Sequence, residues 1–309
     1  MTNAYHPDKK MVFNRVSVIG SGFMGAQIAL QTSMVGKIEV LLYDISTEAQ
    51  TKASKVQRDI LKKKVDSSQL TPLEAEEIIS RIKFLPDFKK APEGVSLIIE
   101  TIPEKLELKR ELFEKLDKLS PRETIIVTNS SSIKCSLLED VVVHKERIAN
   151  LHFYPPVWDR PMVEIMGGAH TSQETIDKLK DFAKQIGLTP LLVKKEIMGF
   201  LFNRIWRAIK KEAMFLADGG YADYQDIDRA WMIATKMPVG IFGLLDMVGL
   251  DVIKDVCEQY YNDSKNEKDK PPKILLEKIN KGELGVKTNK GFYTYPDSIF
   301  KNKDWLKGL

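Results

Sequence analysis

Val16, Val18 and Ile19, around Ser17, form a short apolar run behind a polar leader and predict a buried strand. Residues 24–35 are apolar or small and predict a helix, and 39–43 predict a second strand. A charged helical segment follows over 47–65; after the polar turn Asp66-Ser67-Ser68, Thr71 as a cap and Pro72 in the first turn open another helix. Further strands are expected at 95–100, 124–128, 148–153 and 162–166, helices at 107–119 and 172–186, and a last strand at 190–193. Strands alternating with helices predict a doubly wound, mainly parallel sheet of the α/β class.

Beyond this the pattern turns helical almost throughout, so a domain boundary is expected at 195–199, giving domains 1–196 and 197–309. Leu201, Ile205, Ala208, Ile209, Met214 and Phe215 recur at helical spacing and predict an amphipathic helix over 200–218, ended by Gly219-Gly220. Helices are also expected at 224–235, 243–247 and 251–261, while the polar, charged, Pro-ended run 262–272 predicts a mobile loop. Apolar faces on these helices predict a homodimer, since obligate partners bury such surfaces.

With 309 residues, 43% of them hydrophobic, the chain can build two ordinary cores. A formal net charge of +4 gives no strong field for nucleic acid or an anionic membrane. Cys135 and Cys257 are the two cysteines, without metal-ligand or disulfide-motif spacing, which predicts free thiols in a reduced compartment and no metal site. The leader lacks a signal peptide's apolar stretch and no 18 apolar residues run together, so a cytoplasmic protein is expected.

Gly20-Ser21-Gly22-Phe23-Met24-Gly25 matches G-x-G-x-x-G between a predicted strand and a predicted helix. Gly20 would make the tight turn, Gly22 admit a pyrophosphate to the backbone, and Gly25 let the helix pack closely, with phosphate held at the helix N-terminus. Asp44 ends the second strand, where an acidic residue would accept the ribose hydroxyls and repel a 2′-phosphate, so NAD is expected rather than NADP.

Four histidines are present; His6, His144 and His170 lie in the leader, a polar turn and a strand exit, where solvated or structural roles are expected. His152 ends the strand 148–153, and ligands of open α/β sheets collect beyond the carboxyl ends of strands. Glu164 stands inside the apolar run Met162-Val163-Glu164-Ile165-Met166 and needs a partner. A carboxylate on one imidazole nitrogen would fix the tautomer while the other takes a hydroxyl proton. Asn129-Ser130-Ser131-Ser132 adds polar groups after another strand, but the hydrolase elbow G-x-S-x-G is absent from the chain. Lys62-Lys63-Lys64 reads as a solvated helix face.

VIGSGFMGAQIA, IIETIPEKLELKRELFEKLD, NSSS, ERIANLHF with MVEIM, GFLFNRI, LLDMVGLD and KTNKGFYTY occur in order between Arg15 and Tyr295, and together they resemble the short-chain L-3-hydroxyacyl-CoA dehydrogenase family, of 3-hydroxybutyryl-CoA dehydrogenase type. The resemblance implies a Rossmann-type NAD-binding domain followed by an all-helical C-terminal dimerisation domain. It implies that His152 is the general base, Glu164 its partner, that Ser131 and Asn203 bond the substrate, and that Glu104 and Lys109 act near the cofactor. The implied activity is reversible NAD-dependent oxidation of an acyl-CoA 3-hydroxyl, in fatty acid metabolism.

The chain also departs from the family pattern. His152-Phe153-Tyr154-Pro155-Pro156 replaces the usual H-F-F-N-P, Met198 replaces a Pro, and Gly240-Ile241-Phe242-Gly243 lacks the usual Pro and Glu. Trp158, Asp159 and Arg160 make the following loop bulkier and more charged, and Arg160 could hold a carboxylate in two parallel hydrogen bonds. A free hydroxy or carbonyl acid is therefore an alternative substrate. A non-catalytic dinucleotide-binding protein is a third reading, opposed by the intact His152 and Glu164.

Overall fold

Strands covered by helices on both faces have no solvent side, so they are built from Val, Ile and Leu in nearly unbroken runs. In the computed structural model, which describes residues 12–302 and 304–308, those runs and the helices between them are β1 (Arg15–Ile19), α1 (Phe23–Met34), β2 (Glu39–Tyr43), α2 (Thr47–Asp66), α3 (Pro72–Ser80), β3 (Ile82–Leu85), β4 (Leu97–Glu100), α4 (Leu106–Leu119), β5 (Ile125–Thr128), β6 (Ile148–Phe153), β7 (Met162–Gly167), α5 (Gln173–Gln185) and β8 (Thr189–Val193). Residues 1–11 of the leader read from the sequence, His6 included, lie outside the described residues. One sheet takes all eight strands in the order β3-β2-β1-β4-β5-β6-β7-β8. Every neighbouring pair is parallel except β6 and β7, which run antiparallel. This is the Rossmann-like, doubly wound architecture.

Alternation along each strand separates two cores. Leu97 and Ile99 face one with Ile28 and Leu30 of α1 and Phe182 of α5; Ile98 faces the other with Phe113 and Leu116 of α4. β3 carries little of this signal: it is a four-residue edge strand in which only Ile82 is buried, so the apolar pattern did not predict it. Between β1 and β4 the winding reverses direction, and there the carboxyl ends of the strands open a crevice.

The chain divides after Leu201, five residues past the 196/197 boundary expected from the pattern. The second unit contains α6 (Phe202–Asp218), α7 (Tyr224–Thr235), α8 (Ile241–Val248), α9 (Leu250–Ser264) and α10 (Lys273–Asn280). Phe242, Leu245, Leu250, Leu275, Phe292 and Trp305 belong to its core. α6 starts two residues later than its apolar spacing predicts because Gly199 and Phe200 both take left-handed φ, +81° and +52°. The run 262–272 differs more from expectation. α9 continues to Ser264 and a short turn places Asp269 in a buried position, bonded by Ser264 Oγ and Lys211 Nζ at 2.5 Å each and by Arg207. Polar composition predicted a loop over the whole run; α9 takes its first three residues, and ion pairs to α6 anchor the rest at Asp269. Among the described residues no helix is long and apolar enough to cross a membrane.

Candidate active site

The glycine turn follows β1. Gly20 has φ +99° and a Cβ on it would stand 2.8 Å from Thr101 O, while a Cβ on Gly25 would stand 1.9 Å from Gly20 O. Both positions are therefore closed to larger residues, and α1 is drawn against the turn. Gly22, the N-cap of α1, is the opposite case: nothing lies within 4 Å of the place its Cβ would occupy, and no side chain caps the first N–H groups of the helix. That open, donor-rich surface fits a phosphate. Asp44 follows β2 and its Oδ2 accepts Ser21 N–H at 2.7 Å and Ser21 Oγ–H at 3.1 Å, while Oδ1 accepts Ser46 N–H at 2.9 Å. A cleft of about 800 Å³ runs over Gly20, Gly22, Asp44, Thr101, Ile102 and Leu108, room for part of a dinucleotide.

Where β4 and β5 end, a polar network fills the sheet's carboxyl edge. Lys109 of α4, buried, donates to Glu100 Oε1 at 2.6 Å and lies 3.3 Å from Glu104 Oε2. Thr128 Oγ1 donates to Glu100 Oε2 at 2.6 Å and Ile102 N–H to Oε1 at 2.7 Å. Burial pushes the Glu100 carboxyl above its usual range in spite of these donors. Burial acts the same way on Glu104, but there Lys109, Ser130 and Ser132 outweigh it and hold the carboxyl below its usual range. Asn150 Nδ2 donates to Ile133 O at 2.9 Å and Asn129 Oδ1 accepts Phe153 N–H at 2.9 Å, which tie the serine loop to β6.

His152 and Glu164 are direct partners in the antiparallel register of β6 and β7. Side chains of residues directly opposite lie on one face about 5 Å apart at Cβ, and the twelve-residue spacing is the length of this ribbon. Nδ1 of His152 lies 3.2 Å from Glu164 Oε2, the glutamate fully buried and the imidazole nearly so. Glu164 also accepts Tyr154 Oη–H at 2.7 Å and Leu201 N–H at 2.9 Å. Phe200 stacks on the imidazole with centroids 4.7 Å apart and planes at 22°. The turn that delays α6 therefore also covers the histidine ring.

A second cleft of about 340 Å³ holds His152 with Ser131, Asn129, Glu104, Lys109 and Pro155 on its walls, and shares Thr101 and Ile102 with the first. Nine of the ten residues singled out in the sequence thus lie in the first unit: Gly20, Gly22, Gly25 and Asp44 at the glycine turn, Glu104, Lys109, Ser131, His152 and Glu164 around the second cleft. Asn203 stands in the first turn of α6, in the second unit. Arg160 is exposed and its Nη1 donates to Pro155 O at 2.6 Å, so this guanidinium braces the loop after β6, a bond the sequence did not suggest. His170 pairs with Glu139 at 2.7 Å, and Lys62 with Asp66 on the exposed side of α2. Among the described residues no group of three or more His, Cys, Asp or Glu is arranged to hold a metal.

Several participants escaped the sequence reading. Glu100 ends an apolar strand, the same signal that marked Glu164, and its buried partners could have been anticipated on that ground. Tyr154, Phe200 and Asn150 carry no such signal, because their roles come from contacts across strands and loops.

Residues 15–197 match the model of the 3-hydroxyacyl-CoA dehydrogenase NAD binding domain, and 199–295 that of the 3-hydroxyacyl-CoA dehydrogenase C-terminal domain. The mitochondrial hydroxyacyl-coenzyme A dehydrogenase of Sus scrofa is 34% identical over 292 residues, 93% of either chain. A 5-formyl-3-hydroxy-2-methylpyridine 4-carboxylate 5-dehydrogenase of Mesorhizobium japonicum is 31% identical, covering 92% of this chain and 91% of that one. The crystal structure of (S)-3-hydroxybutyryl-CoA dehydrogenase from Ralstonia eutropha superposes with a TM-score of 0.85 at 30% identity, over 92% of this chain and all of that one. Glycine turn, switch-point crevice and matched halves agree, and the chain belongs to the 3-hydroxyacyl-CoA dehydrogenase family, NAD-dependent oxidoreductases acting on CH–OH groups.

Proposed function

We propose that this chain oxidises the 3-hydroxyl of an L-3-hydroxyacyl-CoA to the 3-ketoacyl-CoA, reversibly, with His152 as general base and Glu164 as its partner. One observation carries the reading: His152 stands opposite a buried carboxylate and on the wall of a cleft that shares Thr101 and Ile102 with the dinucleotide crevice. With Nδ1 turned to Glu164, the hydrogen sits on Nδ1 and the Nε2 lone pair is left for the substrate hydroxyl. Bound NAD supplies the hydride acceptor for C3. As the hydroxyl proton moves to Nε2, Glu164 stabilises the imidazolium. Ser131, on the cleft wall, and Asn203, on the family resemblance, are assigned to hold the reacting oxygens. Glu104 and Lys109, on the wall of the same cleft, are assigned on the family resemblance to act near the cofactor. Asp44 favours NAD over NADP by charge: a 2′-phosphate beside its carboxylate would be repelled.

A second reading, a free carboxylic acid in place of the thioester, is favoured by Pro155 on the cleft wall and by the relative named for a pyridine carboxylate. Following NADH absorbance with acetoacetyl-CoA beside a panel of free keto and hydroxy acids separates the two, and a parallel series with NADPH tests the cofactor. Turnover of acetoacetyl-CoA alone is expected. His152→Ala is expected to keep NADH binding and lose about 10²–10⁴-fold in rate; near-normal turnover in it removes His152 from the mechanism. A cytoplasmic place in fatty acid metabolism and a homodimer complete the proposal.

A further inference from the structure

Glu164 is shared between two donors on its own face of the sheet. Its Oε2 accepts Tyr154 Oη–H at 2.7 Å and faces His152 Nδ1 at 3.2 Å, while Oε1 accepts Leu201 N–H at 2.9 Å. Tyr154 comes two residues after His152, so its side chain leaves the chain on the same side. Its ring stands edge-on to the imidazole, centroids 4.5 Å apart and planes at 70°. Tyr154 is 4% exposed and Glu164 fully buried, so water does not screen the arrangement.

Two consequences follow from this sharing. A hydroxyl–carboxylate bond near 2.7 Å is short and charge-assisted, stronger than an N–H contact at 3.2 Å. It satisfies part of the negative charge on the very oxygen that would otherwise stabilise a protonated imidazole. A carboxylate beside a histidine raises its basicity; a second donor on that carboxylate takes some of the rise away.

We infer that Tyr154 is a positioning residue that lowers the basicity of His152 by competing for Glu164 Oε2, and so sets the acidic edge of the oxidation reaction. The inference rests on the reading of His152 as the base. The other charged groups lining the cleft with His152 are Glu104 and Lys109, which pair with each other, and Lys109 also with Glu100. Tyr154→Phe leaves all of these in place and keeps the edge-on ring, so it removes the hydroxyl alone. Oxidation needs the neutral imidazole, which is lost as pH falls through its pKa. Raising that pKa moves the acidic edge upward, and it extends the reverse reaction, which needs the imidazolium, to higher pH.

The test is an NMR titration of the His152 ring in the full chain, its signal assigned by disappearance in His152→Ala, together with the pH profile of kcat/KM for oxidation. Tyr154→Phe is expected to move both midpoints up by about 0.5–1 pH unit. Removing the same hydroxyl in a Glu164→Gln background is expected to leave the ring midpoint where Glu164→Gln alone puts it, since the shared acceptor has lost its charge. An unmoved midpoint in Tyr154→Phe overturns the inference, whatever happens to Tm, and so does an equal shift in both backgrounds. Turnover surviving in His152→Ala would instead overturn the base assignment, while the ring titration would still report on Tyr154.

Discussion

Glu164 lies in the middle of an apolar strand with no accessible surface, where an ionised carboxylate without donors would be expelled or neutralised. Tyr154 Oη–H, Leu201 N–H and the His152 imidazole supply those donors, each from a different point along the chain. The charge itself is what the proposed mechanism needs, because a buried carboxylate would stabilise an imidazolium formed at His152. Glu164→Gln keeps the shape and removes the charge, and its amide can present N–H where the imidazole Nδ1–H expects an acceptor. We expect kcat to fall about 10²-fold or more while NADH affinity, measured by fluorescence titration, stays within about twofold; equal losses in both would show that Glu164 serves the fold and not the proton. Glu164 was legible in the sequence as a lone acid among apolar residues. Its third donor, the backbone of Leu201, was not, because no sequence pattern marks an N–H aimed across 37 positions.

Elements hold these residues through a small number of buried polar joints. Arg147, just before β6, donates to Asp117 of α4 at 2.6 Å, with both side chains almost wholly buried, and also reaches the carbonyls of Pro121 and Thr124. The joint pins α4, and with it Lys109, to the strand that carries His152. Burial acts to raise the Asp117 carboxyl, but the Arg147 and Val143 donors outweigh it and hold the carboxyl below its ordinary 3.8. A depressed acid contributes stability that is present above its unfolded value and lost as pH falls through the folded one. Asp117→Ala is expected to cost about 3 kcal/mol at pH 7, since it strands a buried guanidinium, and the deficit against the parent should narrow below about pH 4 in urea melts. A deficit constant from pH 7 to pH 3 would contradict the ion-pair account. Most elements were legible from periodicity. β3 was not, as an edge strand with one buried residue, nor was α10, an eight-residue helix that begins just past the expected loop 262–272 and that no expectation covered.

At the scale of the molecule, large apolar side chains stay exposed in the second unit, as Phe23, Ile45 and Leu73 do in the first. Phe202, Ile205, Phe215 and Met247 are each more than two-fifths exposed. Exposed apolar area on this scale is a feature of surfaces that associate, and light scattering is expected to return twice the mass of one chain; a monomer at micromolar concentration would oppose the homodimer. Ile205→Lys with Phe215→Lys should then shift the equilibrium toward single chains without unfolding them. The sequence by itself determined the alternation of strands and helices, the glycine turn, Asp44, the isolated acid at Glu164 and the family, because each is written in local spacing or in residue types that burial tolerates only with a purpose. Tertiary structure alone decided that β7 runs antiparallel to β6, which puts Glu164 directly across from His152, and that Phe200 and Tyr154 close around the imidazole. Those outcomes depend on register and on packing between segments distant in the chain, and a period along one strand holds no information about the partner it will meet.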